Sequence, residues 1–334
     1  MSVYRVRIIV VDVLQSPFSI NMKHSPITIV YVEKAIGGAY MTEIKIDLKQ
    51  DWVSMIEKEI VAEGLKIPED MPIDNKIIKY FTYLRKKVLR GPLKVIKSKD
   101  FTCDEQYLPA VTEIERLFKV GGDISPYLSK WVDEFIDDLM FNDWGILHLH
   151  LGNRMEDNGR YIKRTGPLLF VYFFKDAVYF INVFPHKRWT NREVLQMMYN
   201  NWPELIERFV FPGVTDLEIE YTEKEHYLLR KNGVTTGIPL VNKHGEKIVI
   251  MGPGMGIASS GDSIKDVMTY QNIHNTLRRI ELEIRDDFES LKEEIIKMNL
   301  TIPSILHFEF QGYNETEGLI VKENSTGLYL NFIY

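Results

Sequence analysis

A single cysteine, Cys103, among 334 residues excludes an intramolecular disulfide and any zinc knuckle built on several cysteines. That suits a reducing compartment, and a chain of this length buries enough surface to fold without covalent staples. Cys103 itself reads as a packed or idle thiol, because its sequence neighbourhood lacks the positive charge that activates a nucleophilic cysteine. Net positive charge is also lacking. Lys and Arg total 41 against 47 acids, a net of −6, so the chain as a whole is no polycation and any nucleic-acid contact must come from a local basic patch. No apolar run approaches the ~20 residues that a membrane helix needs. The opening stretch MSVYRVRIIVVDVL alternates like a strand and lacks the apolar core and small-residue cleavage site of a signal peptide. The expected location is therefore cytoplasmic, with no membrane partner. Internal repeats and low-complexity segments are absent. With 45% hydrophobic and 26% charged residues, the composition is that of a folded chain and not a disordered one.

What is present divides into four segments. Residues 1–64 read as a β-hairpin plus helix: apolar runs at 28–32 and 40–48 flank Gly37-Gly38, a hairpin signal, and Asp51 is expected to cap a helix reaching Ala62, with Gly64 as its stop. Residues 65–142 read as helical. A basic amphipathic helix carries Lys76, Lys79, Arg85, Lys86, Lys87 and Arg90, and further helices are expected at 109–118 and 126–141, where Trp131, Phe135 and Leu139 keep helical spacing. Residues 143–212 change to period-two alternation, with strands at 146–151, 167–174 and 177–184, followed by a helix capped at Thr190. Pro212-Gly213 then opens a mixed region, 213–334, with short strands at 217–221, 226–231 and 246–251, a long helix from Ser263 to Met298 and three closing strands. The expected fold class is α+β and multidomain, with a small twisted antiparallel sheet at its centre.

Three of the eight histidines fall within residues 148–186. His148 and His150 lie two apart in ILHLHL, so both side chains share one face of the strand while Leu147, Leu149 and Leu151 share the other. The leucines are the natural core face, which leaves the histidines on the more polar one. His186 follows the strand ending at Phe184. Between Arg154 and Glu193 there are eight basic residues and four acidic ones, a local excess of +4 in a chain of net −6. A positive island in an acidic chain points to an anionic ligand, and phosphate is the usual one.

A basic loop ending in Arg164, the hairpin PLLFVYFFKDAVYFINVF and the charged exit His186-Lys187-Arg188-Trp189 together resemble the RelE and barnase-like superfamily of microbial endoribonuclease toxins. The resemblance covers about 60 residues. The segment preceding it is acidic (Asp133, Glu134, Asp137, Asp138), where the small toxins carry basic helices. The resemblance implies a metal-free transesterification through the RNA 2′-hydroxyl. His148 or His150 would be the base and His186 the acid, with Arg164, Lys163, Lys187 and Arg188 on the phosphate and Trp189 or Tyr179 stacking a base. It also implies an effector of toxin–antitoxin or phage-defence type, with RNA as partner, a protein inhibitor or trigger, and no cofactor. Self-association stays open.

Two other readings compete. Three histidines from two strands are a candidate zinc set with an open fourth position, although HExxH and HxHxDH are absent and the local charge repels a dication. A binding module without catalysis would use the same histidines for packing and hydrogen bonding. The glycine-rich loop MGPGMGIASSGDS matches neither a Walker A loop nor the dinucleotide fingerprint, and it reads as a connector capped by Asp262 or Ser263. His226, His244, His274 and His307 read as structural.

Overall fold

The computed structural model describes residues 42–87, 91–157, 159–186, 190–314 and 318–333. The expected hairpin around Gly37-Gly38 and the residues Lys187, Arg188 and Trp189 lie outside them. In chain order the elements are β1 (Glu43–Ile46), α1 (Leu48–Ala62), α2 (Ile73–Lys87), β2 (Lys94–Lys97), α3 (Leu108–Val120) and α4 (Leu139–Trp144). Then follow β3 (Ile146–His150), β4 (Pro167–Phe174), β5 (Ala177–Pro185), α5 (Arg192–Asn201), α6 (Pro203–Ile206) and α7 (Glu223–Lys231). The chain continues through β6 (Ile238–Val241), β7 (Lys247–Ile250), α8 (Ile264–Asp286), α9 (Phe288–Lys297), β8 (Ile305–Asn314), β9 (Gly318–Glu323) and β10 (Tyr329–Phe332). The class is α+β.

Contacts divide the chain into two units, 65–268 and the two ends together, 1–64 with 269–334. The boundaries expected at 142/143 and 212/213 thus fall inside one unit, because the strands of the histidine segment are completed by β2 before it and packed by β6 and β7 after it.

In the unit made by the chain ends, the sheet order is β1-β8-β9-β10, with β1 parallel to β8 and the other pairs antiparallel. Helix α1 buries Leu48, Trp52, Ile56 and Ile60, one stripe at four-residue spacing. Its cap is Asp47, whose carboxylate accepts the Gln50 N–H at 2.9 Å. The expected cap Asp51 instead accepts the Phe310 N–H of β8 at 2.9 Å, so a tertiary bond claims it.

The second unit holds a sheet in the order β2-β5-β4-β3. β3, β4 and β5 are antiparallel neighbours, and β2 joins β5 in parallel. Lys175 takes a left-handed φ of 54° at the tight β4–β5 turn, the backbone that such hairpins need. Both sheet faces are covered. On one, Ile146, Leu168, Phe170, Tyr172 and Phe184 meet Val194, Leu195 and Met198 of α5, Leu205 and Ile206 of α6, and Ile238, Leu240 and Ile250 of β6 and β7. On the other, Leu147, Leu149, Val171 and Phe180 are buried, and Phe118 of α3 packs edge-on against Phe173 and Phe180.

Three expected elements differ. Residues 126–141 form no single helix: 3₁₀ turns at Ser125–Tyr127 and Lys130–Glu134 precede α4, and Phe135 breaks the path with a left-handed φ of 53°. Residues 226–231 belong to α7, where Thr222 and Glu225 make a reciprocal capping box, and no strand forms at 217–221. Asn191, not Thr190, caps α5, since the Thr190 hydroxyl donates to the Glu223 carbonyl. No helix among the described residues is long and apolar enough to cross a membrane.

Candidate active-site cavity

Helix α4 and strand β3 form one short lever. Asp138 Oδ1 accepts the Phe141 N–H at 3.1 Å and so caps α4. Gly145, at a left-handed φ of 69°, ends the helix and turns the chain straight into β3. His148 follows three residues after Gly145 and His150 two residues after that, and His148 returns to the cap: its Nδ1 lies 3.3 Å from Asp138 Oδ2. One carboxylate thus caps a helix with one oxygen and faces an imidazole with the other.

The face that carries His148 and His150 is a packed one, where the alternation suggested the more polar face of the strand. His148 pairs with Phe170 and His150 with Leu168, and both partners belong to the apolar layer under α5. His150 is only 3% exposed. The sheet is sandwiched, so alternation separates two buried faces instead of a dry one and a wet one. What distinguishes the histidines is that β3 is the edge strand, where the apolar layer opens into a cavity of about 730 Å³. Its wall includes His148, His150, His186, Arg164, Lys86 and Asp138, with Trp131, Lys224 and Tyr227 also lining it.

The electrostatics of this cavity are uneven. Burial pushes His150 down to about 4, reinforced by His148, Arg164 and His186. Burial also lowers His148, against the pull of Asp138, which favours its charged form. Burial raises Asp138, yet His148, Lys86 and the Phe141 N–H outweigh that and hold its carboxyl below the usual range. Lys86 is buried and lowered by desolvation, opposed by Asp138 and Asp137, and its Nζ sits 5.5 Å from the centre of the Phe141 ring. His150 Nδ1 is buried with no hydrogen-bond partner among the described residues. A buried imidazole nitrogen without a partner costs roughly 1–3 kcal/mol, which a ligand group or water in the cavity recovers. Arg164 lies with its guanidinium 4.9 Å from the centre of the Trp131 ring.

Behind the cavity is a second polar cluster with a structural role. Arg230 is fully buried, and its Nε and Nη2 each lie 2.8 Å from Asp143 Oδ2. His226 Nε2 is 3.6 Å from the same oxygen, and Arg230 stacks on Trp144 at 4.4 Å. The glycine-rich loop closes over this cluster. The Gly254 N–H donates to the Asp143 carbonyl at 2.9 Å, and a Cβ at Gly252 would lie 2.5 Å from that same oxygen. Lys79 bridges Asp137 (2.8 Å) and Asp262 (3.1 Å), which fastens the end of the loop to the acidic segment. The loop is thus a packed clasp around α4.

All four residues expected to be catalytic, His148, His150, His186 and Arg164, line the one cavity. Two expected binding residues do not. Tyr179 packs edge-on against Trp202 at 5.0 Å, beside the apolar cluster, because residues on its face of β5 meet the helices. Lys163 is exposed on its loop, its N–H bonded to the Arg154 carbonyl, and it is not part of the cavity wall. The positive island is also weaker than its sequence count, since Arg160 pairs with Asp133 at 2.9 Å and Arg192 with Glu220 at 3.4 Å. Sequence reasoning missed Asp138, Lys86 and Trp131. The acidic run that set this chain apart from the small toxins is the source of the carboxylate beside His148. Among the described residues, no group of three or more His, Cys, Asp or Glu side chains is placed to hold a metal ion.

Compared with models of protein families, with curated proteins and with solved structures, the chain matches none.

Proposed function

We propose that this cavity cleaves RNA without a metal, by transesterification through the 2′-hydroxyl. The observation that carries the reading is the convergence of His148, His150, His186 and Arg164 on one cavity, with Asp138 set against His148. His148 is the base. Its Nδ1 is turned to Asp138, so Nε2 takes the 2′ proton while the carboxylate stabilises the imidazolium that forms. The 2′ oxygen attacks phosphorus, the P–O5′ bond breaks, and His186 protonates the departing 5′ oxygen. The products are a 2′,3′-cyclic phosphate and a 5′-hydroxyl. Arg164 and Lys86 offset charge on the phosphorane. His150, held neutral at pH 7 by its burial, supplies a hydrogen bond and not a proton. The sequence resemblance to the RelE and barnase-like toxins supports the same chemistry, and with it the reading of the protein as an effector of toxin–antitoxin or phage-defence type.

The test is incubation of total RNA with the purified chain in EDTA. Cleavage by the wild type and its loss in His148→Ala and His186→Ala support the proposal. Cleavage that requires an added divalent metal favours a metal-dependent phosphoesterase. RNA bound but left intact favours a binding module.

A further inference from the structure

We infer that the cavity takes a single unpaired nucleotide whose base stacks on Trp131, so that its substrate is single-stranded RNA. This rests on the proposed RNA chemistry and adds the residue that selects the form of RNA. Three observations carry it. First, the cavity, at about 730 Å³, has the size of a small-ligand site. A duplex keeps its bases stacked inside a helix, whereas a splayed nucleotide enters such a space. Second, Trp131 is 49% exposed where it lines the cavity, while Trp52, Trp144 and Trp202 are buried in cores. The 3₁₀ turn Lys130–Glu134 holds it there, and the Trp131 N–H reaches Ser129 Oγ at 3.5 Å. Third, the guanidinium of Arg164 lies 4.9 Å from the centre of that indole. Indole, guanidinium and histidines therefore share one cavity, the combination of stacking surface and phosphate-binding cation that single-stranded sites use. Stacking needs only a π-face, so Trp131 selects for an unpaired base with little regard to its identity.

The test measures binding apart from cleavage. The probe is a fluorescent eight-nucleotide 2′-O-methyl RNA, which carries no free 2′-hydroxyl to react, offered as a single strand and as a duplex with its complement. The wild type is expected to prefer the single strand. Trp131→Ala is expected to bind it roughly 5- to 100-fold more weakly, and Trp131→Phe to stay within a few-fold of wild type. Unchanged melting temperatures of both variants separate lost stacking from lost fold. Equal binding by Trp131→Ala, equal affinity of the wild type for the duplex, or no binding of either form overturns the inference. The two proposals fail separately. Intact RNA in the cleavage assay together with Trp131-dependent binding removes the nuclease reading and keeps the stacking. Cleavage together with Trp131-independent binding does the reverse.

Discussion

His150 provides a perturbation whose size follows from the structure. It is 3% exposed in the apolar layer of the sheet, and its burial lowers it from the ordinary 6.5 to about 4. A base with a depressed folded-state pKa binds its proton more weakly folded than unfolded. As pH falls through 6.5, the unfolded chain takes up the proton first and gains stability relative to the folded one. The loss of folding stability grows down to about pH 4 and is constant below it. From the two values, the penalty is about 2 kcal/mol at pH 5 and about 3 kcal/mol at pH 4, and it is small above pH 7. Replacing His150 with Gln removes the titrating group and keeps a polar side chain of similar reach. For a unit of this size 1 kcal/mol corresponds to roughly 2–4 °C, so between pH 7.5 and pH 5 the wild type should lose about 4–8 °C more than His150→Gln. Thermal unfolding by circular dichroism measures this. Nuclear magnetic resonance of the imidazole Cε1–H reads the titration directly, with His150→Gln assigning the peak. Equal losses in the two proteins, or a His150 signal that titrates near 6.5, would refute the claim that this histidine is neutral and desolvated.

Other expectations follow from the same geometry. Asp143→Ala leaves the fully buried Arg230 guanidinium without its 2.8 Å partner and should cost about 3–5 kcal/mol in urea unfolding, whereas Asp143→Leu combined with Arg230→Met should regain most of it. Gly254→Ala places a Cβ 2.6 Å from the Gly145 nitrogen and 2.7 Å from the Asp143 carbonyl, both backbone atoms that cannot rotate away. It should destabilise by roughly 1–3 kcal/mol, while Gly166→Ala, which meets nothing within 4 Å, should stay within about 0.5 kcal/mol. Asp138→Asn keeps the α4 cap, because Asn caps as well as Asp, but removes the charge facing His148. Cleavage of a fluorogenic RNA should fall by about 100-fold or more with an unchanged far-ultraviolet spectrum, and a fall of less than threefold would show that Asp138 plays no part.

The legible parts of this protein were those set by neighbours in sequence. The alternation ILHLH put His148 and His150 on one face, and Lys175-Asp176 between two apolar runs marked the β4–β5 turn. The grouping of His186 and Arg164 with them came from the hairpin that carries both near its ends. What alternation did not reveal is the layer that covers each face. Helices α5 and α6 lie over the histidine face, so a face that looked polar is buried. Asp138 is ten residues from His148 and reads as a surface charge on an expected helix. Only the break at Phe135 and the short α4 bring it to the imidazole. Lys86 read as one of six cations on a basic amphipathic helix, with nothing to set it apart, and the cavity and Phe141 enclose it. Trp131 kept helical spacing with Phe135 and Leu139, and it sits instead in a 3₁₀ turn that lines the cavity. Tyr179 erred the other way, since strand position alone does not say which face of a sandwiched sheet meets a helix.

The ends of the RNA fragments test the proposed cleavage most directly. A defined single-stranded oligoribonucleotide, incubated with the full chain in EDTA and resolved by mass spectrometry, should yield 2′,3′-cyclic phosphate and 5′-hydroxyl termini, and His148→Ala should yield neither. Intact RNA, or fragments ending in 3′-hydroxyl and 5′-phosphate, would contradict it.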